Sequence, residues 1–144
     1  MNAILRQGGK AIVYRIQVRR HFDAAHALRG YRGKCENLHG HRWQVVACVD
    51  ATELDQVGMA CDFGLVKAAL DEVLEGLDHR NLCETPPFDT LNPSSEHLAR
   101  FVYQALAEKL TGHLGETAHL ARVEAWESPD AWATYWPDAP ADPI

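Results

Sequence analysis

Hydrophobic and polar residues alternate early in the chain. Tyr14, Ile16 and Val18 interleave with Arg15, Gln17 and Arg19, the period of two that marks a strand with one buried face. This strand is predicted to end near Phe22. Residues 27–38 (ALRGYRGKCENL) carry two glycines and four charges and read as a loop. Alternation resumes at His41, with Trp43, Val45, Ala47 and Val49 on one face, and predicts a second strand antiparallel to the first. The period then changes. Asp62 can cap a helix in which Phe63, Val66, Ala69, Leu70, Val73, Leu74 and Leu77 recur at steps of three and four. Residues 80–93 predict a proline-containing loop. Asn92-Pro93-Ser94 opens a second helix with the stripe Leu98, Phe101, Val102, Ala105, Leu106 and Leu110, because Pro suits a first turn and Asn or Ser can cap it. A third strand is expected from Ala118 to Glu127, then a turn at Ser128-Pro129-Asp130 and a short fourth strand, Trp132 to Trp136. Residues 1–12 and the closing DAPADPI predict irregular tails.

The order ββααββ contains no alternating βαβ unit. It predicts an α+β fold, a four-stranded antiparallel sheet with both helices on one face. Such a sheet has two edges that need pairing or covering, so association through those edges is expected.

Composition narrows the functional classes. The chain has 144 residues, enough for one domain with a real core, and the strand and helix pattern fills about residues 14–136. A net charge of -6 argues against a general nucleic-acid binder, which needs an excess of Lys and Arg. No apolar run approaches the roughly 20 residues of a membrane span. Met1 to Lys10 lacks the apolar centre of a signal peptide, so a cytosolic location is expected. The four cysteines, Cys35, Cys48, Cys61 and Cys83, form no C-x-x-C pair and read as free thiols.

The sharpest local signal is His39-Gly40-His41. Residues two apart on a strand share a face, so two imidazoles can grip one metal ion. An antiparallel pairing of the first two strands would bring His26 beside them. Three neutral imidazoles with an open fourth position is a common catalytic zinc arrangement. An H-x-H pair alone is of low specificity; the third histidine strengthens it. His21, His97, His113 and His119 have no such partners and read as surface or packing residues.

Three further features are open to more than one reading. Cys35 lies four residues before His39, with Arg32 and Lys34 nearby. A cationic setting makes a reactive thiolate, but Cys35 could equally be a fourth zinc ligand or an inert thiol. Asp78-His79 can act as an oriented proton carrier if a local bend turns the two side chains together; otherwise it is a surface dipeptide. Glu127 shares a strand face with Val123 and Ala125. It is either solvated at a frayed strand end or an anchor for a ligand with paired N–H donors, such as an aminopyrimidinone ring.

The runs FDAAH (22–26), CENLHGH (35–41), DFGLVK (62–67), LDHRNL (77–82), PSSEHLA (93–99) and AWESP (125–129) together resemble the 6-pyruvoyltetrahydropterin synthase / 6-carboxytetrahydropterin synthase family. The short Cys-to-His-Gly-His spacing is similar to that of the bacterial 6-carboxytetrahydropterin synthases of queuosine biosynthesis. The resemblance implies the tunnelling fold, a homo-hexamer with sites at subunit interfaces, and zinc on His26, His39 and His41. It implies Cys35 as the general base, Asp78 and His79 as the proton relay from a neighbouring subunit, and Glu127 as the pterin anchor. The implied reaction converts 7,8-dihydroneopterin triphosphate to 6-carboxy-5,6,7,8-tetrahydropterin, with loss of acetaldehyde and triphosphate. Where the family often has Glu-Thr, this chain has Glu127-Ser128, which keeps the hydroxyl. Cys35 is followed by Glu36. Some relatives use a glutamate in this loop and resemble folate-pathway enzymes that make 6-hydroxymethyl-7,8-dihydropterin, so Glu36 would contact substrate in a second, same-site activity. A non-catalytic, zinc-stabilised pterin-binding protein is the remaining alternative.

Overall fold

The computed structural model describes residues 4–33 and 37–137. The alternating segments form two long strands, β3 (Tyr14–His26) and β4 (His39–Ala51). They pair antiparallel without a slip, from Tyr14↔Ala51 to His26↔His39. Before them, β1 (Arg6–Gln7) and β2 (Lys10–Ala11) make a separate two-stranded ribbon. This corrects the expectation of a loose tail through residue 12. Gly8 and Gly9 both take positive φ, 56° and 82°, the geometry that a tight two-residue hairpin turn needs and glycine supplies without steric cost.

The first helix, α1 (Phe63–Glu75), starts at Asp62, whose carboxylate accepts from the Gly64 N–H. The second, α2 (Ser95–Leu110), starts at Ser94, whose hydroxyl accepts from the His97 N–H. Each cap satisfies a backbone donor that the first turn leaves unpaired. Between the helices lie β5 (Arg80–Asn81) and a single 3₁₀ turn, Leu82–Glu84. The chain closes with β6 (Ala118–Ser128) and β7 (Ala131–Tyr135).

The main sheet has five strands in the order β5-β3-β4-β6-β7. The four expected strands pair antiparallel, and β5 adds a short parallel edge on β3, at Ala24↔Arg80 and Ala25↔Asn81. The sheet is therefore mixed rather than purely antiparallel. A two-residue strand has no periodicity to read, which is why residues 80–93 present themselves as a loop.

Both helices cover one face. Val18, Phe22 and Ala24 of β3, Trp43, Val45, Ala47 and Val49 of β4, and Leu120, Val123 and Ala125 of β6 share one core with α1 and α2. The helices also touch each other, bridged at the surface by Lys109 Nζ and Glu72 Oε2 at 2.9 Å. The opposite face is polar but partly buried. There Asp50, 2% exposed, takes two hydrogen bonds from Arg15, at 2.6 and 2.9 Å, so a buried carboxylate has a charge-assisted bidentate partner. No helix among the described residues is long and apolar enough to cross a membrane.

Leu70 is fully buried between α1 and the sheet. Leu70→Ala is expected to lower unfolding free energy by about 3 kcal/mol, lost transfer energy plus a residual cavity, read as a lower urea midpoint with an unchanged slope.

Candidate active site and its family

The in-register pairing of β3 with β4 fixes the site. His26 and His39 are direct partners, and His41 lies opposite Ala24 on the same sheet face. The three rings stand edge to face, with centroids 4.6 Å (His26–His39), 5.2 Å (His26–His41) and 4.7 Å (His39–His41) apart. Trp43 floors them, its ring 5.0 Å from His26 and 5.5 Å from His41.

Backbone carbonyls set the orientation of two rings. The Pro93 carbonyl lies 2.7 Å from His26 Nδ1, and the Asn37 carbonyl 2.6 Å from His39 Nδ1. A carbonyl only accepts, so Nδ1 donates in each ring, and in the neutral imidazole the Nε2 lone pair is left free. The Pro93 carbonyl is itself held in place: Asn92 accepts from the Arg29 N–H at 3.0 Å and donates to the Arg29 carbonyl at 2.9 Å. These two bonds tie the start of α2 to the loop that leaves His26. The Arg29 guanidinium donates to the Phe88 carbonyl at 2.7 Å, so this arginine serves the loop as well as the surface.

Glu127 completes the cluster. One of its oxygens, Oε1, lies 3.2 Å from His26 Nε2 and 3.1 Å from His41 Nε2. The ligand atoms of His26, His39, His41 and Glu127 all lie within 4.8 Å of one another. Both of those Nε2 atoms are buried and neither makes a hydrogen bond. Burial pushes the His41 pKa down, the neighbouring imidazoles act in the same direction and Glu127 opposes them. A neutral imidazole keeps its lone pair, and buried nitrogens without hydrogen-bond partners are what a metal ion would satisfy. The residues therefore fit a metal ion of the kind three histidines bind.

Asp78 and His79 form a second group with Asp23, at the β5 edge. The bend that the dipeptide needs is present. His79 takes a left-handed φ of 56° just after α1, uncommon outside glycine, and its N–H donates to the Asp23 carbonyl at 2.6 Å. In return the Asp23 N–H donates to Asp78 Oδ1 at 2.9 Å. The His79 ring then lies within ion-pair reach of Asp78, Nε2 to Oδ2 at 3.5 Å. A cleft of about 510 Å³ opens here, lined by Asp23, Gly40, His41, Arg42, His79 and Arg80 among others. Sequence reasoning did not single out Asp23; its hydrogen bonds to Asp78 and His79 run through its backbone, which residue type does not reveal.

Cys35 and Glu36 lie outside the described residues. The other three cysteines are free, as their spacing predicted. Cys48 is buried, which drives its pKa up to about 12. Burial first, and Asp62 second, also raise the Cys61 thiol. Cys83 donates to the Ala27 carbonyl.

The family of this chain follows from its match to known proteins. A model of the family described as 6-pyruvoyl tetrahydropterin synthase matches residues 15–138. The chain belongs to the 6-pyruvoyl tetrahydropterin synthase family. Similar curated proteins include the 6-carboxy-5,6,7,8-tetrahydropterin synthase of Rickettsia felis, 27% identical over 77% of this chain and 91% of its own length. The dihydroneopterin monophosphate aldolase of Pyrococcus furiosus is 34% identical over 78% of this chain and 89% of its own. Among solved structures, the 6-pyruvoyl tetrahydropterin synthase of Caenorhabditis elegans superposes with a TM-score of 0.77 at 27% identity, covering 90% of this chain and 98% of that one. The fold is thus that of the tetrahydropterin synthases.

A pKa near 12 keeps the Cys48 thiol protonated throughout the neutral range, and the thiolate is the form that alkylates. Brief iodoacetamide treatment at pH 8 is expected to leave Cys48 unmodified in the folded protein and to label it after denaturation. Peptide mass mapping reads both states; rapid native labelling of Cys48 would contradict the assignment.

Proposed function

We propose that this chain is a zinc-dependent 6-carboxytetrahydropterin synthase of queuosine biosynthesis, a carbon–carbon lyase acting on 7,8-dihydroneopterin triphosphate. The observation that carries the reading is the convergence of His26, His39 and His41, the first and last with buried Nε2 atoms that have no hydrogen-bond partner, in a chain of the tetrahydropterin synthase family. Several curated relatives bear the 6-carboxytetrahydropterin synthase name.

In this reading His26, His39 and His41 hold zinc, which when bound polarises oxygens of the substrate side chain and acidifies the neighbouring C–H. Cys35, as thiolate, takes that proton. His79, oriented by Asp78, carries a proton back, which suits an imidazole near neutral pH. The Glu127 carboxylate accepts the paired N–H donors of the pterin ring, a charge-assisted bidentate contact. With one water consumed, triphosphate and acetaldehyde leave and 6-carboxy-5,6,7,8-tetrahydropterin remains.

Within one chain the relay pair and the histidine cluster form separate groups. This supports a relay that acts across a subunit boundary in a homo-hexamer. The sheet edges β5 and β7 are the surfaces through which copies would pair. Free thiols suit a reducing cytosol.

A second reading has its own support. The aldolase of Pyrococcus furiosus is as similar as the synthases, and Glu36 stands beside Cys35. A carboxylate there would serve a same-site activity that yields 6-hydroxymethyl-7,8-dihydropterin.

Product analysis separates the two. Cys35→Ala is expected to retain fold and about one zinc per chain but to lose formation of the carboxypterin by at least about a hundredfold, the scale of a lost general base. Loss of zinc together with unfolding would instead make Cys35 a ligand. Glu36→Ala is expected to abolish any hydroxymethyl product while sparing the carboxy product; an unchanged product mixture would remove Glu36 from the chemistry. Tight binding of dihydroneopterin triphosphate without turnover by the unaltered protein would favour a non-catalytic pterin binder.

A further inference from the structure

The position of Glu127 goes beyond a pterin anchor. We propose that its carboxylate is the fourth metal ligand in the substrate-free protein, and that it leaves the metal for the ring N–H donors when a pterin binds. This inference rests on the reading of the three histidines as a metal site.

Distances carry the first half. Four ligands bound tetrahedrally at about 2.0–2.1 Å stand about 3.3 Å from one another along each edge of the tetrahedron. Glu127 Oε1 is 3.2 Å from His26 Nε2 and 3.1 Å from His41 Nε2, close to that edge length. At His26 the ring proton sits on Nδ1, which donates to the Pro93 carbonyl at 2.7 Å, so in the neutral ring Nε2 has a lone pair and no hydrogen to give the carboxylate. The oxygen therefore stands where a fourth ligand stands.

The backbone explains how a strand residue reaches there. Trp126 pairs with Gln44 and with Trp132, and Ser128 pairs with Ala131, with a register shift between Trp126 and Ser128. Glu127 falls in that irregularity and has no partner in the register of either neighbouring strand. A bulge of this kind re-aims a side chain and is frequent beside active sites. The Trp126–Trp132 stack, with centroids 3.7 Å apart, packs the strand pair immediately before it.

Accessibility carries the second half. The His26 side chain is 2% exposed, whereas those of His41 and Glu127 are 25% and 28% exposed. The carboxylate is open to an entering ring, and unlike the imidazoles it can accept paired N–H donors. Paired ring N–H groups need both oxygens of this carboxylate, including the Oε1 that a metal would use. As Glu127 turns to them, the coordination position it leaves is open to the substrate's own side-chain oxygens. The protein would thus keep water from that position until a pterin is bound.

Cobalt(II) in place of zinc tests both halves, because its visible absorption reports coordination number and ligand type. The probe is an unsubstituted pterin, which has the ring donors but no side-chain oxygens. The unaltered protein is expected to show an intense four-coordinate spectrum that changes when this pterin is added. Glu127→Gln and Glu127→Ala are expected to show a different metal-only spectrum, no response to the pterin, and cobalt affinity at least about tenfold lower against a competing chelator. If the unaltered protein binds metal and the variants match its spectrum and affinity, Glu127 is no ligand and the inference fails while the metal site stands. A pterin that binds the unaltered protein without changing its spectrum overturns the exchange. If the unaltered protein takes up neither cobalt nor zinc, the underlying metal reading fails as well. The pterin titration uses the unaltered protein, so it decides the exchange even if a variant does not fold.

Discussion

The pairing of β3 with β4 is the constraint on which the rest of the structure depends. Thirteen residues of each strand are matched from Tyr14↔Ala51 to His26↔His39 without interruption. Side chains alternate with a period of two, so a slip of one residue would move every side chain of one strand to the other face. Such a slip would send Phe22 and Val18 out of the core and His26 away from His39 and His41. The apolar burial that stabilises the hairpin therefore also sets the position of the histidine cluster. Phe22 stacked on Trp43, with ring centroids 6.0 Å apart, lies immediately before the histidines and shares their face. Packing and chemistry are specified by one register.

The two faces of the sheet divide the labour. One packs against α1 and α2 and ends in the histidine cluster. The other carries Arg15, Asp50, Cys48, Arg122 and Glu124. Asp50 is nearly enclosed, yet Arg15 supplies two donors to it, which offsets much of the cost of burying its charge. The same enclosure makes Cys48 a poor thiolate. A buried cysteine and a reactive one differ by setting rather than by residue type.

Much of this was legible in the sequence, for identifiable reasons. The long strands and both helices have strong periods and clear caps, and Asp62 and Ser94 cap where expected. The cluster of His26, His39 and His41 was legible because same-face spacing and an antiparallel hairpin are nearly sufficient to create it. β5 was not, because two residues have no period. The β1–β2 ribbon left one overlooked trace, the Gly8-Gly9 pair. The place of Glu127 was half legible: its strand face could be read, but its approach to His26 and His41 depends on a bulge, and bulges leave no mark in a hydrophobic pattern. The bonds that Asn92 makes to the backbone of Arg29, and Pro93 to His26, depend on tertiary placement alone.

The cluster also draws on three strands at once. β4 is the central strand; it supplies His39 and His41, receives His26 from β3 on one side, and meets Glu127 from β6 on the other. The first pairing is a local hairpin. The second joins segments separated by both helices, so its loop-closure cost must be met before its contacts form. The histidine trio can therefore assemble with the hairpin, but the carboxylate arrives only when β6 has docked and α2 has packed. A metal ion held by all four residues would favour the state in which both pairings are complete over any state with the hairpin alone. Its binding free energy would then add to the stability of the whole sheet rather than to one turn. The strand joined by this longer-range pairing contributes Glu127, a partly exposed carboxylate placed to exchange partners when a substrate enters.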